Sequence, residues 1–292
     1  SDLRNPDGDA IGSAIAIHLA FPNSQIICID TPPKYTQFIN GTDEIISTLN
    51  INEFDLLVFV DCGSNNMSKF DEQYPDLFTN SLYSTINIDH HSSNNNYADL
   101  NLVDCSKCST THILYDLFRA NNIKISTDIA TALLTGIYFD TGSLKHDNTN
   151  SETLKAAGKL IKLGADLKAI IKNLYKTNSS NQLKLWGKIF ENIKVNDKHI
   201  ASSIVTTTDL NQYNLNSKQL EGAIDYLNSI PNCKFCVLLT QDNNGIKASL
   251  RTQLPSVNLS KFAQNFGGGG HPMASGFRIK GEISSENYWR LN

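Results

Sequence analysis

The sequence predicts an α/β protein in two parts: a doubly wound, mainly parallel sheet, then a smaller α/β domain with a mixed sheet and a cleft between them. Three observations carry this. Short apolar runs alternate with helical patterns as far as residue 176, the signature of strands joined by crossover helices. One of those runs, Asp55-Leu-Leu-Val-Phe-Val-Asp61, is continuously apolar between its acids, as in a strand covered on both faces, and a second, Ser84-Thr-Ile-Asn-Ile-Asp89, also ends in an acid. After the apolar-free stretch 176–181 the pattern changes to strands joined by a tight turn. The boundaries expected are 1–176 for the first domain, 177–193 for a linker and connecting helix, and 194–292 for the second.

Pro6-Asp7-Gly8-Asp9 is a tight polar turn running into a helix from Ala10 to Ala20. Gln25–Asp30 reads as a strand, and Thr31-Pro32-Pro33 and Asn40-Gly41 as breakers. Next come the runs ending at Asp61 and Asp89. Ser109-Thr110-Thr111 caps a helix through Asn121. Thr127–Phe139 is helical and runs into Asp140-Thr141-Gly142, and further helices follow at Glu152–Leu163, Asp166–Lys176 and Gln182–Ile193. In the second part strands are expected at His199–Thr207, Cys233–Gln241, Ile246–Gln253 and Ala274–Lys280, with Asp242-Asn-Asn-Gly245 as a hairpin turn. Helices are expected at Ser217–Ile230 and Leu259–Phe266, the latter opening into a glycine-rich loop, Gly267-Gly-Gly-Gly270-His271-Pro272.

Composition narrows the function. The 292 residues are 40% hydrophobic and 18% charged with net charge −4, and mean hydropathy is −0.27 with a pI near 6.0. This is ordinary globular composition, and the charge argues against non-specific binding of long duplex nucleic acid. No stretch approaches the ~20 apolar residues of a membrane span, and no signal peptide is legible. The six cysteines include two Cys-x-x-Cys pairs, 105/108 and 233/236. Cys233 and Cys236 fall in a strand-like run, where an i, i+3 pair would point to opposite faces, so the cysteines read as reduced thiols in a cytoplasmic protein rather than a zinc site.

Asp7, Asp9, Asp61, Asp89, His90, His91 and Asp140 all fall at strand or helix ends that such a sheet gathers on one edge. Carboxylates with some histidine and no thiolate suit two Mn²⁺ ions, or Mg²⁺, better than structural zinc. Such a pair cleaves phosphoesters. In the second domain Gly268, Gly269 and Gly270 let backbone approach a phosphate, His271 adds a donor, and Arg251 after Ser249 fits a bidentate phosphate clamp.

Together these segments resemble the DHH phosphoesterase family. They are Asn-Pro-Asp-Gly-Asp-Ala at 5–10, Asp61, Asp-His-His at 89–91 and Asp-Thr-Gly at 140–142. Ser-Leu-Arg at 249–251 and Gly-Gly-Gly-Gly-His-Pro at 267–272 resemble the DHH-associated C-terminal domain. The compact two-domain form is similar to the nanoRNase and pAp-phosphatase branch. The resemblance implies that Asp7 binds one Mn²⁺, that Asp9, His90 and Asp140 bind the other, and that Asp61 bridges. It further implies that Asp89 orients the site and that His91 meets the scissile phosphate or leaving oxygen. Ser249, Arg251, Gly268–Gly270 and His271 would hold the substrate's terminal phosphate. The implied substrates are short oligonucleotides, pAp or dinucleotides, and a homodimer is open. A cyclic-di-AMP or linear-dinucleotide phosphodiesterase, and a catalytically weak nucleotide-binding module, are the alternatives. Two departures stand out. Leu3 occupies the family's usual histidine position, with Asp2 as a substitute oxygen ligand, and Met67 and Lys69 occupy the region of an expected arginine.

Overall fold

The computed structural model describes residues 6–48, 50, 53–64, 83–176, 178–220 and 222–283. Asp2, Leu3 and Asn5, and Met67 and Lys69, lie outside the described residues. The chain divides into two compact units, Ser1–Thr177 and Asn178–Asn292.

In the first unit β1 (Leu56–Val60), β2 (Ser84–Asp89) and β3 (Leu100–Val103) pair in parallel in the order β1-β2-β3. Around them run α1 (Gly8–Ala20), α2 (Thr110–Ala120), α3 (Thr127–Asp140), α4 (Ser151–Lys162) and α5 (Leu167–Tyr175). The core is one cluster in which Ile15, Leu114, Leu133, Leu134, Ile137 and Leu160 are wholly buried, each contributing roughly 1.5–3 kcal/mol. At its centre α1 crosses α3. A Cβ on Gly12 would lie 2.5 Å from the Ala132 carbonyl oxygen, and one on Gly8 would lie 2.9 Å from the Phe139 ring. That close approach keeps Asp7 and Asp9, on either side of Gly8, beside the end of α3.

Three helix starts of the first unit are capped by side chains, the one at Ser109 as the sequence predicts. Asp7 accepts from the N–H groups of Asp9 and Ala10, Ser109 from His112 and Ser126 from Ile129, each satisfying donors that a helix leaves open. The expected strand at Gln25–Asp30 shrinks to one parallel bridge, Ile27 with Ile46. Its partner is a single residue just beyond a 3₁₀ turn, Thr42–Glu44, so no ladder can extend. The edge strand β3 was not legible, being short and half-exposed.

The second unit is a six-stranded mixed sheet in the order β4-β5-β6-β7-β9-β8. Its strands are β4 (Lys194–Val195), β5 (Ile200–Val205), β6 (Phe235–Asp242), β7 (Gly245–Arg251), β8 (Gly269–His271) and β9 (Ala274–Ile279). The helices α6 (Ser180–Glu191), α7 (Thr207–Tyr213) and α8 (Ala223–Leu227) cover one face, with Leu185, Ile189, Leu227 and Leu238 in the core. The helix α9 (Leu259–Gln264) packs under the other face with Leu250 and Phe277.

Three expectations are corrected here. The helix over Ser217–Ile230 is interrupted: a 3₁₀ turn, Ser217–Leu220, gives way to Gly222 at φ 90°, and only then to α8. The glycine-rich loop is in part an edge strand, β8, paired antiparallel with β9. Cys233 precedes β6, so the opposite-face argument for it and Cys236 fails. Both pack on the same core. All six cysteines are free. Among the described residues no helix is long and apolar enough to cross a membrane.

Candidate metal centre

The ends of β1, β2 and α3 and the start of α1 converge in the first unit. Two groups of side chains offer ligand atoms within 4.8 Å of one another: Asp9, His90 and Asp140, and Asp61, His90 and His91. His90 belongs to both. Its Nε2 lies 3.2 Å from Asp140 Oδ2 and 3.6 Å from Asp61 Oδ1.

Each residue is delivered by a local device. Asp61 follows β1 in the left-handed region, at φ 56°, which costs an L-residue roughly 1–2 kcal/mol. Its N–H is nonetheless tied to the Ile88 carbonyl at 2.9 Å, so the bend is enforced by β2. Asp89 is wholly buried at the end of β2. Its Oδ1 accepts from the His90 N–H (2.9 Å) and lies 2.7 Å from His91 Nδ1, and its Oδ2 accepts from the Asn94 amide at 2.5 Å. Burial pushes the Asp89 carboxyl up, but the bonds from His91 and Asn94 outweigh it and hold it at about 2. A carboxylate there keeps the proton of neutral His91 on Nδ1 and leaves Nε2 as the acceptor. Asn94, not among the residues expected from the sequence, also donates to Asn87 Oδ1 at 2.7 Å. The asparagine-rich loop after His91 was its only signal.

Asp9 is held from the far side. The N–H groups of Thr110 and Thr111, the first residues of α2, donate to its Oδ2 (2.6 Å) and Oδ1 (3.0 Å). The Thr111 hydroxyl adds a bond to Oδ1 at 2.7 Å. Asp7 stands outside both groups, yet it belongs to the same electrostatic cluster. Burial, then the Asp61 charge, pushes its carboxyl up to about 6. Burial raises Asp9 and Asp140 well above the usual carboxylate range as well, reinforced by the other carboxylates. Burial lowers His90. Four carboxylates crowd one buried site with His90 and His91 among them. That donor set, all oxygen and imidazole, fits hard divalent cations, which would offset the repulsion.

In the second unit the strand registers gather the other expected residues. Ser249 and Gly269 both pair with Gly276, and Arg251 and His271 both pair with Ala274. Paired residues, and residues two apart, share a face. Ser249, Arg251, Gly269 and His271 therefore lie on one face at one end of the sheet. Arg251 Nε donates to Asp225 at 3.2 Å and one Nη to the Leu250 carbonyl, so part of its fork is already engaged. The Met273 N–H reaches His271 Nδ1 at 3.3 Å, leaving Nε2 as the donor. The glycines divide: Gly267 has φ +72°, and a Cβ on Gly268 or Gly270 would collide with β9. Only Gly269 has a negative φ and nothing within 4 Å of a Cβ position.

The DHH family N-terminal domain model matches residues 3–137, and the DHHA1 domain model matches 196–288. The bifunctional oligoribonuclease and PAP phosphatase NrnA of Bacillus subtilis is 28% identical, over 94% of this chain and 86% of its own length. The Thermus thermophilus protein of the same name is 27% identical, over 98% and 85%. A probable manganese-dependent inorganic pyrophosphatase of Streptococcus agalactiae is 23% identical, over 76% and 74%. Among solved structures, an exopolyphosphatase-related protein from Bacteroides fragilis superposes with a TM-score of 0.85 at 25% identity, covering 96% of this chain and 86% of that one. A pyrophosphatase-type structure from Methanococcus jannaschii, at 18% identity and TM-score 0.51, shares the fold. The chain carries a DHH family N-terminal domain in its first unit and a DHHA1 domain in its second.

Proposed function

We propose that this chain is a two-metal phosphodiesterase that hydrolyses short oligoribonucleotides to mononucleotides and removes the 3′-phosphate of pAp. The observation that carries the reading is the convergence of Asp9, Asp61, His90, His91 and Asp140 in two ligand groups sharing His90. Relatives named as oligoribonuclease and PAP phosphatase, spanning most of the chain, support the substrate class. Asp9, His90 and Asp140 would hold one Mn²⁺ and Asp7 the other, with Asp61 between them; Mg²⁺ is the alternative occupant. Two such ions supply an activated water and charge stabilisation for the leaving oxygen.

The chain's own groups do the rest. Asp89, fixed by Asn94, orients His91 so that Nε2 faces the scissile phosphate. In its protonated form His91 passes a proton to the leaving oxygen, and the carboxylate of Asp89 stabilises the imidazolium. The second unit holds the substrate's terminal phosphate. Arg251 contributes the part of its fork not bound to Asp225, His271 its Nε2–H, Ser249 its hydroxyl, and the glycine edge of β8 its outward N–H groups, with Gly269 the point of closest approach. Long duplexes are poor substrates at net charge −4. The setting is the cytoplasm, in keeping with six free cysteines.

The test is hydrolysis of pApA, a 24-mer RNA, pAp and cyclic-di-AMP with Mn²⁺ or with EDTA. Mn²⁺-dependent turnover of pApA and pAp, slower on the 24-mer, is expected. Preference for cyclic-di-AMP, or equal rates in EDTA, overturns the reading.

A further inference from the structure

We propose that Thr110 and Thr111, at the start of α2, are positioning residues for the metal centre, one hydroxyl for each ligand group. The inference rests on the two-metal part of the reading above. Thr111 Oγ1 donates to Asp9 Oδ1 at 2.7 Å, and Asp9 belongs to the group with His90 and Asp140. Thr110 Oγ1 donates to Asp61 Oδ1 at 3.1 Å, and Asp61 belongs to the group with His90 and His91. Adjacent residues on one helical turn thus serve two carboxylates that arrive from α1 and from β1.

The arrangement is built rather than incidental. Ser109, Thr110 and Thr111 are wholly buried. The bonds form a directed chain: the His112 N–H donates to Ser109 Oγ at 3.1 Å, Ser109 Oγ lies 2.8 Å from Thr111 Oγ1, and Thr111 Oγ1 donates onward to Asp9. Each donor is polarised by the one behind it. The backbone N–H groups of Thr110 and Thr111, which a helix start leaves open, end on Asp9 rather than on a local cap. The positive end of α2 therefore faces the acidic cluster. Gly136 completes the fit. A Cβ there would clash with Asp9 Oδ1 and Thr111 Oγ1, closer than real Cβ contacts come. The Asp9–Thr111 bond occupies the space a side chain at 136 would need.

Partners that orient metal ligands typically set 10–100-fold of metal affinity, and the two hydroxyls act on different ligands, Thr111 on Asp9 at one ion and Thr110 on Asp61 between the two. The experiment is Mn²⁺ binding to the full chain by titration calorimetry and by the electron paramagnetic resonance of free Mn²⁺. It compares Thr110→Val, Thr111→Val and the corresponding serine variants. An Asp140→Asn background, which disables one ligand group, isolates the ion at the other. Thr111→Val is expected to weaken the ion of the Asp9, His90 and Asp140 group 10–100-fold, and Thr110→Val, which loosens the carboxylate between the two ions, to weaken both, with serine at the same position restoring binding. In the Asp140→Asn background Thr110→Val still weakens the remaining ion, whereas Thr111→Val does not.

Metal-free melting temperature is the second readout. Unchanged Mn²⁺ affinity overturns the proposal, whether or not that temperature falls, and so does a loss that the serine variants share. Tight Mn²⁺ binding by a wild type that hydrolyses none of the substrates would sink the proposed function and leave this inference standing.

Discussion

Replacing Asp7 with asparagine separates the charge of this residue from its shape. Asparagine is as good a helix cap as aspartate and can still accept from the N–H groups of residues 9 and 10, which Asp7 Oδ1 does at 2.9 and 3.1 Å. Only the charge is lost. Burial and Asp61 raise the Asp7 carboxyl from 3.8 to about 6 in the metal-free protein. The folded state therefore keeps a proton between roughly pH 4 and 6 that the unfolded chain has already released. Stability contributed by this group is present below pH 4, is lost as pH rises through 6, and stays lost above. At 1.36 kcal/mol per pH unit the loss is about 3 kcal/mol, and Asp9 and Asp140 act in the same direction. For a unit of 177 residues this corresponds to about 6–12 °C in melting temperature. Calorimetric melting in EDTA at pH 4.5 and 7.5 is the assay. Wild type is expected to melt lower at pH 7.5 than at 4.5, and Asp7→Asn to melt above wild type at pH 7.5. Saturating Mn²⁺ reverses the order, because the wild type gains the binding free energy of an ion the variant holds poorly. A metal-free Asp7→Asn chain that melts at or below wild type at pH 7.5 would refute the reasoning that charge repulsion destabilises this site.

Three further outcomes follow from the same geometry. His91→Ala is expected to lower kcat by about 10²–10⁴ with bound Mn²⁺ nearly unchanged by elemental analysis, since His90 remains in both ligand groups. Gly269→Ala is expected to keep the wild-type melting temperature while raising KM for pAp. Gly268→Ala, whose Cβ would strike β9, loses stability first; the opposite pattern would mean that the free edge of β8 does not face substrate. Gly136→Ala is expected to lower both melting temperature and Mn²⁺ affinity, because the new methyl group displaces Asp9 or Thr111, and a neutral result by calorimetry would show that the α2 start can shift freely.

The sequence revealed most where residue type and local pattern agree. Asp61 and Asp89 closing apolar runs, and Ser109 opening a helical pattern, were legible because strand ends and caps are local events. The registers that align Ser249 with Gly269 and Arg251 with His271 were not, because strand pairing is set by partners far along the chain. The same holds for Thr110 and Thr111. As a cap they are visible in three consecutive letters, but their bonds to Asp9 and Asp61 span about a hundred and about fifty residues. The glycine run misled for a physical reason. Four glycines in a row suggest a loop, yet the close approach of two of them to β9 is what permits an edge strand. Asn94 was hidden because an asparagine-rich turn needs no further explanation until its amide is seen on Asp89.

The most direct test of the central claim is hydrolysis of pApA by the full chain, followed chromatographically with Mn²⁺ present and after EDTA treatment, alongside Asp61→Asn. The account predicts turnover to mononucleotides that requires Mn²⁺ and is lost in Asp61→Asn together with bound metal. Turnover that persists in EDTA, or in an Asp61→Asn chain free of metal, would contradict it.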